Sequence, residues 1–165
     1  MSQPPSALLP TAEDLLDAMA GKPSDDQLLT AAAQMLPLNR QRYLAAGVLI
    51  HSALPAVDEI QRAGVLLTSA VVALSRLAYA IDYYAAERLR HIDTVPGTTQ
   101  SAARLGEAAG WLAFVLARDA TERALGGSRN GSELGELCDA YNGLRARLLS
   151  GQITLRPPGT PPDVL

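Results

Sequence analysis

The sequence predicts an all-α protein: an antiparallel bundle of about four main helices, two short N-terminal helices and an extended proline-rich C-terminal tail. Three observations predict this fold. Alanine and leucine supply 55 of the 165 residues, and both favour helices. Apolar residues recur with the 3.6-residue helical period, and no strand-like alternation stands out. Glycine, proline and capping residues separate the periodic stretches.

Two short helices are predicted at the N-terminus. The first covers residues 11–20 and starts at Thr11, which begins a capping pattern. The second covers 24–36, starts at the capping residue Ser24 and is stopped by Pro37. We expect both helices to pack outside the bundle or across one of its ends.

Four longer helices form the predicted bundle. They cover residues 39–52, 56–93, 100–125 and 132–150. Thr98 or Thr99 is expected to cap the third of them, and Gly151 to end the fourth. The pattern leaves open whether the longest helix is continuous or bends at Gly64. Residues 1–151 are predicted to form one domain, followed by a tail over 152–165.

The longest predicted helix carries a heptad-like apolar seam, in which steps of four and three residues alternate. Its members are Ile60, Gly64, Leu67, Val71, Leu74, Ala78, Ile81, Ala85 and Ile92, with Arg88 in the one polar position. Val65 and Val72 lie on the opposite side, so the first half of the helix is apolar almost all round. This pattern predicts a helix that is either central in the bundle or covered by a second subunit, as in a homodimer.

Charge and hydrophobicity argue against two classes of partner, nucleic acid and membrane. Net charge is −3, with no long run of one sign, which argues against binding of nucleic acid. The longest charge-free apolar stretch, residues 43–57, is too short and too interrupted to span a membrane. The N-terminus lacks the features of a secretory signal. We therefore expect a cytoplasmic protein without a membrane partner, and its arginine-rich basic set is typical of GC-rich bacterial genomes.

Polar residues near the end of the longest helix separate onto two faces. Tyr79, Tyr83, Glu87 and Arg90 form a ladder of i, i+4 and i, i+3 neighbours opposite the apolar seam. We expect this ladder to face solvent or a partner chain. Tyr84, a neighbour of Tyr83 in sequence, lies instead at the border of the apolar face, where a side chain can look into a cleft.

A pocket between helices is the other predicted site. If the protein is an enzyme, its candidate catalytic residues are His91, His51, Tyr84, Asp119 and Arg88, with a histidine as the base. Asp119 lies close to the apolar seam of its helix, and an acid there must be paired or solvated. We expect it to pair with Arg88 across the bundle, either as an internal salt bridge or as the floor of the pocket.

Signatures of known chemistry are missing from the sequence. There is no Glu-x-x-His motif for a di-metal site, and with two histidines in all a metal site would need mostly carboxylates. There is also no nucleophile elbow, Walker loop or dinucleotide-binding glycine pattern. Cys138 lies on an apolar helix face and is interpreted as a core residue, and the Gly106–Gly110 spacing favours a close helix crossing. No metal and no cofactor are expected.

Three functions remain open. The first is a non-catalytic helical-bundle protein that self-associates, as a dimer, and acts as an accessory or binding module. The second is a small cofactor-free enzyme with acid–base chemistry in an inter-helix pocket. The third is an immunity or antitoxin-type adaptor whose acidic surface meets a basic partner. A protein or small-molecule partner is compatible with each of them.

Overall fold

The computed structural model describes residues 8–51, 55–100, 104–127 and 131–155, and it confirms an all-α helical bundle. Five helices occur in these ranges: α1 (Ala12–Met19), α2 (Gln27–His51), α3 (Val57–Leu89), α4 (Leu105–Ala124) and α5 (Ser132–Leu149). Two short strands, β1 (Thr99–Gln100) and β2 (Ile153–Thr154), pair in parallel. The core lies where α2, α3, α4 and α5 meet, with α1 covering one side of it.

Helix α1 begins and ends where the sequence predicts. The Thr11 hydroxyl accepts a hydrogen bond from the Asp14 N–H at 3.2 Å, and the Asp14 carboxylate accepts one from the Thr11 N–H at 2.8 Å. This reciprocal pair satisfies two backbone donors at the helix start. After the helix, Gly21 adopts φ of 98°, a conformation that glycine adopts without strain.

Helix α2 corrects the prediction of two helices separated by Pro37. It runs unbroken through Pro37 and joins the predicted second and third helices into one of 25 residues. Buried residues lie on both sides of the proline, among them Met35 and Asn39. Their burial outweighs the hydrogen bond that proline removes from a helix. The start also differs, because Asp26 rather than Ser24 accepts hydrogen bonds from the first backbone N–H groups.

Helix α3 is continuous over 33 residues and has no break at Gly64. In its first half the buried face differs from the predicted seam, whereas the seam residues Ile81 and Ala85 are buried as predicted. Ala63, Ala70 and Leu77 are buried, whereas Ile60 and Val71 are 42% and 44% exposed. The small alanine side chains allow α2 and α3 to approach closely. The side of α3 that carries small residues is therefore the packed one, and the larger apolar residues stay exposed.

Helix α4 starts at Leu105, later than predicted, because Thr99 and Gln100 belong to β1 instead of capping a helix. Near its start, α4 crosses α3 at very short range. A Cβ atom at Gly106 would lie 2.6 Å from the Cα of Ala78 and would overlap the Ala78 carbonyl group. The predicted close crossing is therefore present, and Gly106 forms it.

Helix α5 holds the N-terminal segment in place through polar side chains. The Arg145 guanidinium donates to the Leu9 carbonyl at 2.8 Å, and the Tyr141 hydroxyl donates to the Pro10 carbonyl at 3.3 Å. After α5, the chain is extended at β2, where Ile153 is buried in the core. Residues 156–165, the proline-rich part of the predicted tail, lie outside the described residues.

Candidate functional site

The outer face of α3 is the most unusual surface of the described chain. We define it by the residues opposite the buried Ala63 and Ala70, namely Asp58, Gln61, Val65, Thr68, Ser69, Val72, Arg76 and Tyr79. Val65 is 70% exposed and Val72 is 47% exposed. Exposed apolar residues that share one helix face are typical of surfaces that other molecules cover.

Helix α3 also has the length and composition of a membrane-spanning helix. Among the described residues it is the one helix that meets both conditions, and 28% of its apolar window is buried inside the protein. A core helix of a soluble protein reaches the same composition when it is mostly buried. The low burial of α3 means that its apolar side chains are not explained by intramolecular packing.

Two grooves accompany this helix. The larger one has a volume of about 910 Å³ and runs along the outer face, where Val65, Thr68 and Val72 contribute to its lining together with Leu38 of α2. The second, of about 410 Å³, lies nearer the end of α2 and the start of α3. Its lining includes Leu44, which is 58% exposed. Exposed apolar side chains of α2 and of the first half of α3 therefore lie among polar ones along both grooves.

A more polar cavity of about 550 Å³ lies at the other end of α3. Tyr83, Glu87 and Arg90 line one side of it, and residues from the end of α5 and from β2 line the other. The Glu87 carboxylate and the Arg90 guanidinium form an ion pair. Most of the predicted polar ladder therefore borders a cavity within its own chain.

The predicted Asp119–Arg88 pair is wrong. The Arg88 guanidinium binds both carboxylate oxygens of Asp26, at 2.7 and 2.8 Å, and joins the start of α2 to the end of α3. Asp119 accepts instead from Arg118, which also reaches Glu133 on α5. A charged side chain pairs with the nearest opposite charge. In this fold the start of α2, with Asp26, lies beside the end of α3, with Arg88.

The other candidate catalytic residues are spread over different contacts. His91 is exposed in the turn after α3 and does not line the cavity at that end of the helix. Tyr84 packs edge-to-face against Tyr83, with ring centres 5.7 Å apart. The side chain of His51 lies outside the described residues. Within the described residues, Arg88 and Asp119 belong to two separate ion pairs.

Asp82 has a role that the sequence did not reveal. Its carboxylate accepts a hydrogen bond from the Gly106 N–H at 3.0 Å and so caps the start of α4 from a different helix. Burial raises the pKa of Asp82, although the backbone N–H groups of Gly106 and Leu105 and the charge of Arg104 act in the opposite direction. Capping across helices leaves no local sequence pattern, because the two residues lie 24 positions apart.

Aromatic side chains gather where α2 meets α4. Phe114 packs edge-to-face against Tyr43 and Trp111, with ring centres 6.3 and 5.8 Å away. The Arg42 guanidinium lies over the Phe114 ring at 5.2 Å, as in a cation–π contact. Trp111 is 50% exposed. Tryptophan, tyrosine and arginine are common at protein interfaces, so this cluster is a second candidate contact surface.

The described residues contain no group of three or more His, Cys, Asp or Glu side chains that could hold a metal ion. Cys138 is half-buried on α5, packed against the core. Burial raises the pKa of its thiol, and the nearby carboxylates of Asp139 and Glu13 raise it further. A thiol with a raised pKa is a poor nucleophile because little thiolate is present at neutral pH.

Fold and surface together define the class of this protein as an all-α helical bundle with two exposed valines on the outer face of α3. No protein-family model, no curated protein and no solved structure matches the chain.

Proposed function

We propose that the protein is a non-catalytic helical-bundle protein that self-associates through the outer face of α3 and acts as an accessory or binding module. The observation that carries this proposal is the exposure of Val65 and Val72 in the middle of a 33-residue helix. A second copy that covers this face would remove the valines of both copies from water. Full burial of one such side chain is worth about 1.5 to 3 kcal/mol.

The experiment is sedimentation equilibrium of the wild-type chain and of two substitutions on the outer face, Val65→Asp and Val72→Asp. We expect a dimer for the wild type and a monomer for both variants, because a dimer would bury their new carboxylates. Leu125→Asp is the matched control, since Leu125 is 81% exposed at the end of α4. It should remain dimeric.

A wild-type chain that sediments as a monomer at tens of micromolar would overturn the proposal. So would a dimer that tolerates both valine substitutions. Circular dichroism of each variant shows whether its helices remain, which separates a lost interface from a lost fold. The exposure of both valines predicts that the monomeric variants keep the helical content of the wild type.

A further inference from the structure

We infer that two copies of α3 pair in an antiparallel orientation, with the twofold axis at Thr68 and Ser69. This inference rests on the proposed self-association and adds the geometry of the contact. A twofold interface uses the same surface on both copies, so the surface must be complementary to itself. The outer face of α3 has this property in the antiparallel orientation.

Apolar and polar residues are placed symmetrically along the outer face. Three pairs of positions are equally far from the boundary between Thr68 and Ser69: Val65 with Val72, Gln61 with Arg76, and Asp58 with Tyr79. In an antiparallel pair the members of each set lie opposite one another. The valines then pack on both sides of the small hydroxyl residues at the axis, where two helices can approach closely.

Charge decides between the two orientations. Arg76 is exposed and forms no ion pair within the described ranges. Asp58 is also exposed and is bound to Arg62 of its own helix at 2.6 Å. An antiparallel pair brings Arg76 of one copy beside the Asp58–Arg62 ion pair of the other, within a helical turn of Asp58, about 5 Å along the axis. A parallel pair places Arg76 beside Arg76 and Asp58 beside Asp58, and like charges repel.

The groove along the outer face supplies the space for such a contact. Its lining includes Val65, Thr68, Val72 and Arg76, which are the residues that the second copy would meet. A groove of about 910 Å³ that is open on one side accepts the ridge of a facing helix. Helix α3 of each copy would therefore fill the groove of the other copy.

Disulfide formation between single-cysteine variants tests the orientation. In a Cys138→Ser background, Val65→Cys and Val72→Cys are purified separately, mixed and oxidised. We expect the mixture to give a crosslinked heterodimer and each variant alone to give little crosslink. In an antiparallel pair, two copies of position 65 lie about 10 Å apart along the axis. A rapid crosslink in each variant alone would show a parallel pair and overturn the inference.

Charge exchange gives an independent test. Arg76→Glu places two carboxylates near each other at both ends of the interface, and Asp58→Lys does the same with two cations. Each variant alone should dimerise at least about five-fold more weakly than the wild type. An equimolar mixture should recover the wild-type affinity, because the heterodimer restores opposite charges at both ends. A mixture that stays as weak as its components would contradict the inference.

The outcomes separate this inference from the proposed function. A dimer that crosslinks in the parallel pattern would support self-association and contradict the antiparallel geometry. If the wild-type chain is monomeric in solution and floats with vesicles of phosphatidylcholine and phosphatidylglycerol, lipid covers the outer face. That result would contradict both the self-association and the antiparallel geometry. Flotation of the wild type is measured beside Val72→Asp, in which the outer face carries an added charge.

Discussion

Asp26 joins two elements through one carboxylate. It caps α2 through the N–H of Leu28 at 2.8 Å and pairs with both terminal nitrogens of Arg88 at the end of α3. Burial raises the pKa of this carboxyl, but the hydrogen bonds and charge of Arg88 and the backbone N–H groups outweigh it. The net result is a pKa below the ordinary value. Both side chains of the pair are less than one third exposed.

We expect Asp26→Asn to lower the free energy of unfolding by about 1 to 2 kcal/mol at pH 7. Because the pKa of Asp26 is lower in the folded chain, its stabilisation is complete above the unfolded pKa of about 3.9. It disappears as the pH falls through the folded pKa. Urea unfolding at pH 7 and at acid pH measures the difference between the two chains, which should shrink in acid.

Asp25→Asn is the matched control for this prediction. Asp25 is the adjacent residue, carries the same charge and is exposed. Its substitution should change the free energy of unfolding by less than about 0.5 kcal/mol. Equal effects of the two substitutions would show that Asp26 acts only through its general charge near the start of α2.

At the scale of elements, the crossing of α3 and α4 depends on one missing side chain. A Cβ at Gly106 would collide with the backbone of Ala78, whereas a Cβ at Gly110 would have no neighbour within 4 Å. Gly106→Ala should therefore push the helices apart and lower the free energy of unfolding by about 2 kcal/mol or more. Asp82 would also lose its bond to the Gly106 N–H.

Gly110→Ala should act in the opposite direction on the same helix. Alanine is a better helix former than glycine by about 1 kcal/mol, and the site has room for it. Thermal unfolding of both variants measures the contrast. A Gly106→Ala chain as stable as Gly110→Ala would mean that the α3–α4 crossing adjusts without cost.

Elements could be predicted from the sequence where local chemistry decides them. The Thr11 cap, the end of α5 at Gly151 and the helical class all follow from short patterns. The effect of Pro37 could not be predicted from its neighbours in sequence, because packing of buried residues on both sides of the proline keeps α2 intact. The buried side of the first half of α3 was also missed, since periodicity does not distinguish large apolar residues that face outward from small ones that pack inward.

In the candidate site, too, local patterns could be predicted and long-range contacts could not. Val65 and Val72 were predicted to lie opposite the packed side of their helix, and the structure places both of them there, on the exposed face. The partner of Arg88 was missed because Asp26 lies 62 residues away in sequence. Long-range pairing depends on which helices are neighbours, and the merging of two predicted helices into α2 changed that neighbourhood.

At the scale of the whole molecule, self-association couples stability to concentration. If a dimer forms through the outer face of α3, unfolding must also separate the two chains. Each ten-fold rise in chain concentration then adds about 1.4 kcal/mol per dimer, or about 0.7 kcal/mol per chain. For a chain of this size that corresponds to an increase in Tm of about 1 to 3 °C.

Scanning calorimetry over a hundred-fold range of concentration measures this increase. The wild type and Leu125→Asp should both show it, whereas Val72→Asp should unfold at one temperature throughout the range. That temperature should lie below the wild-type values, because the variant keeps the buried alanine side of α3 but loses the contribution of the second copy. A wild-type Tm that does not change with concentration would contradict a dimer whose chains separate on unfolding.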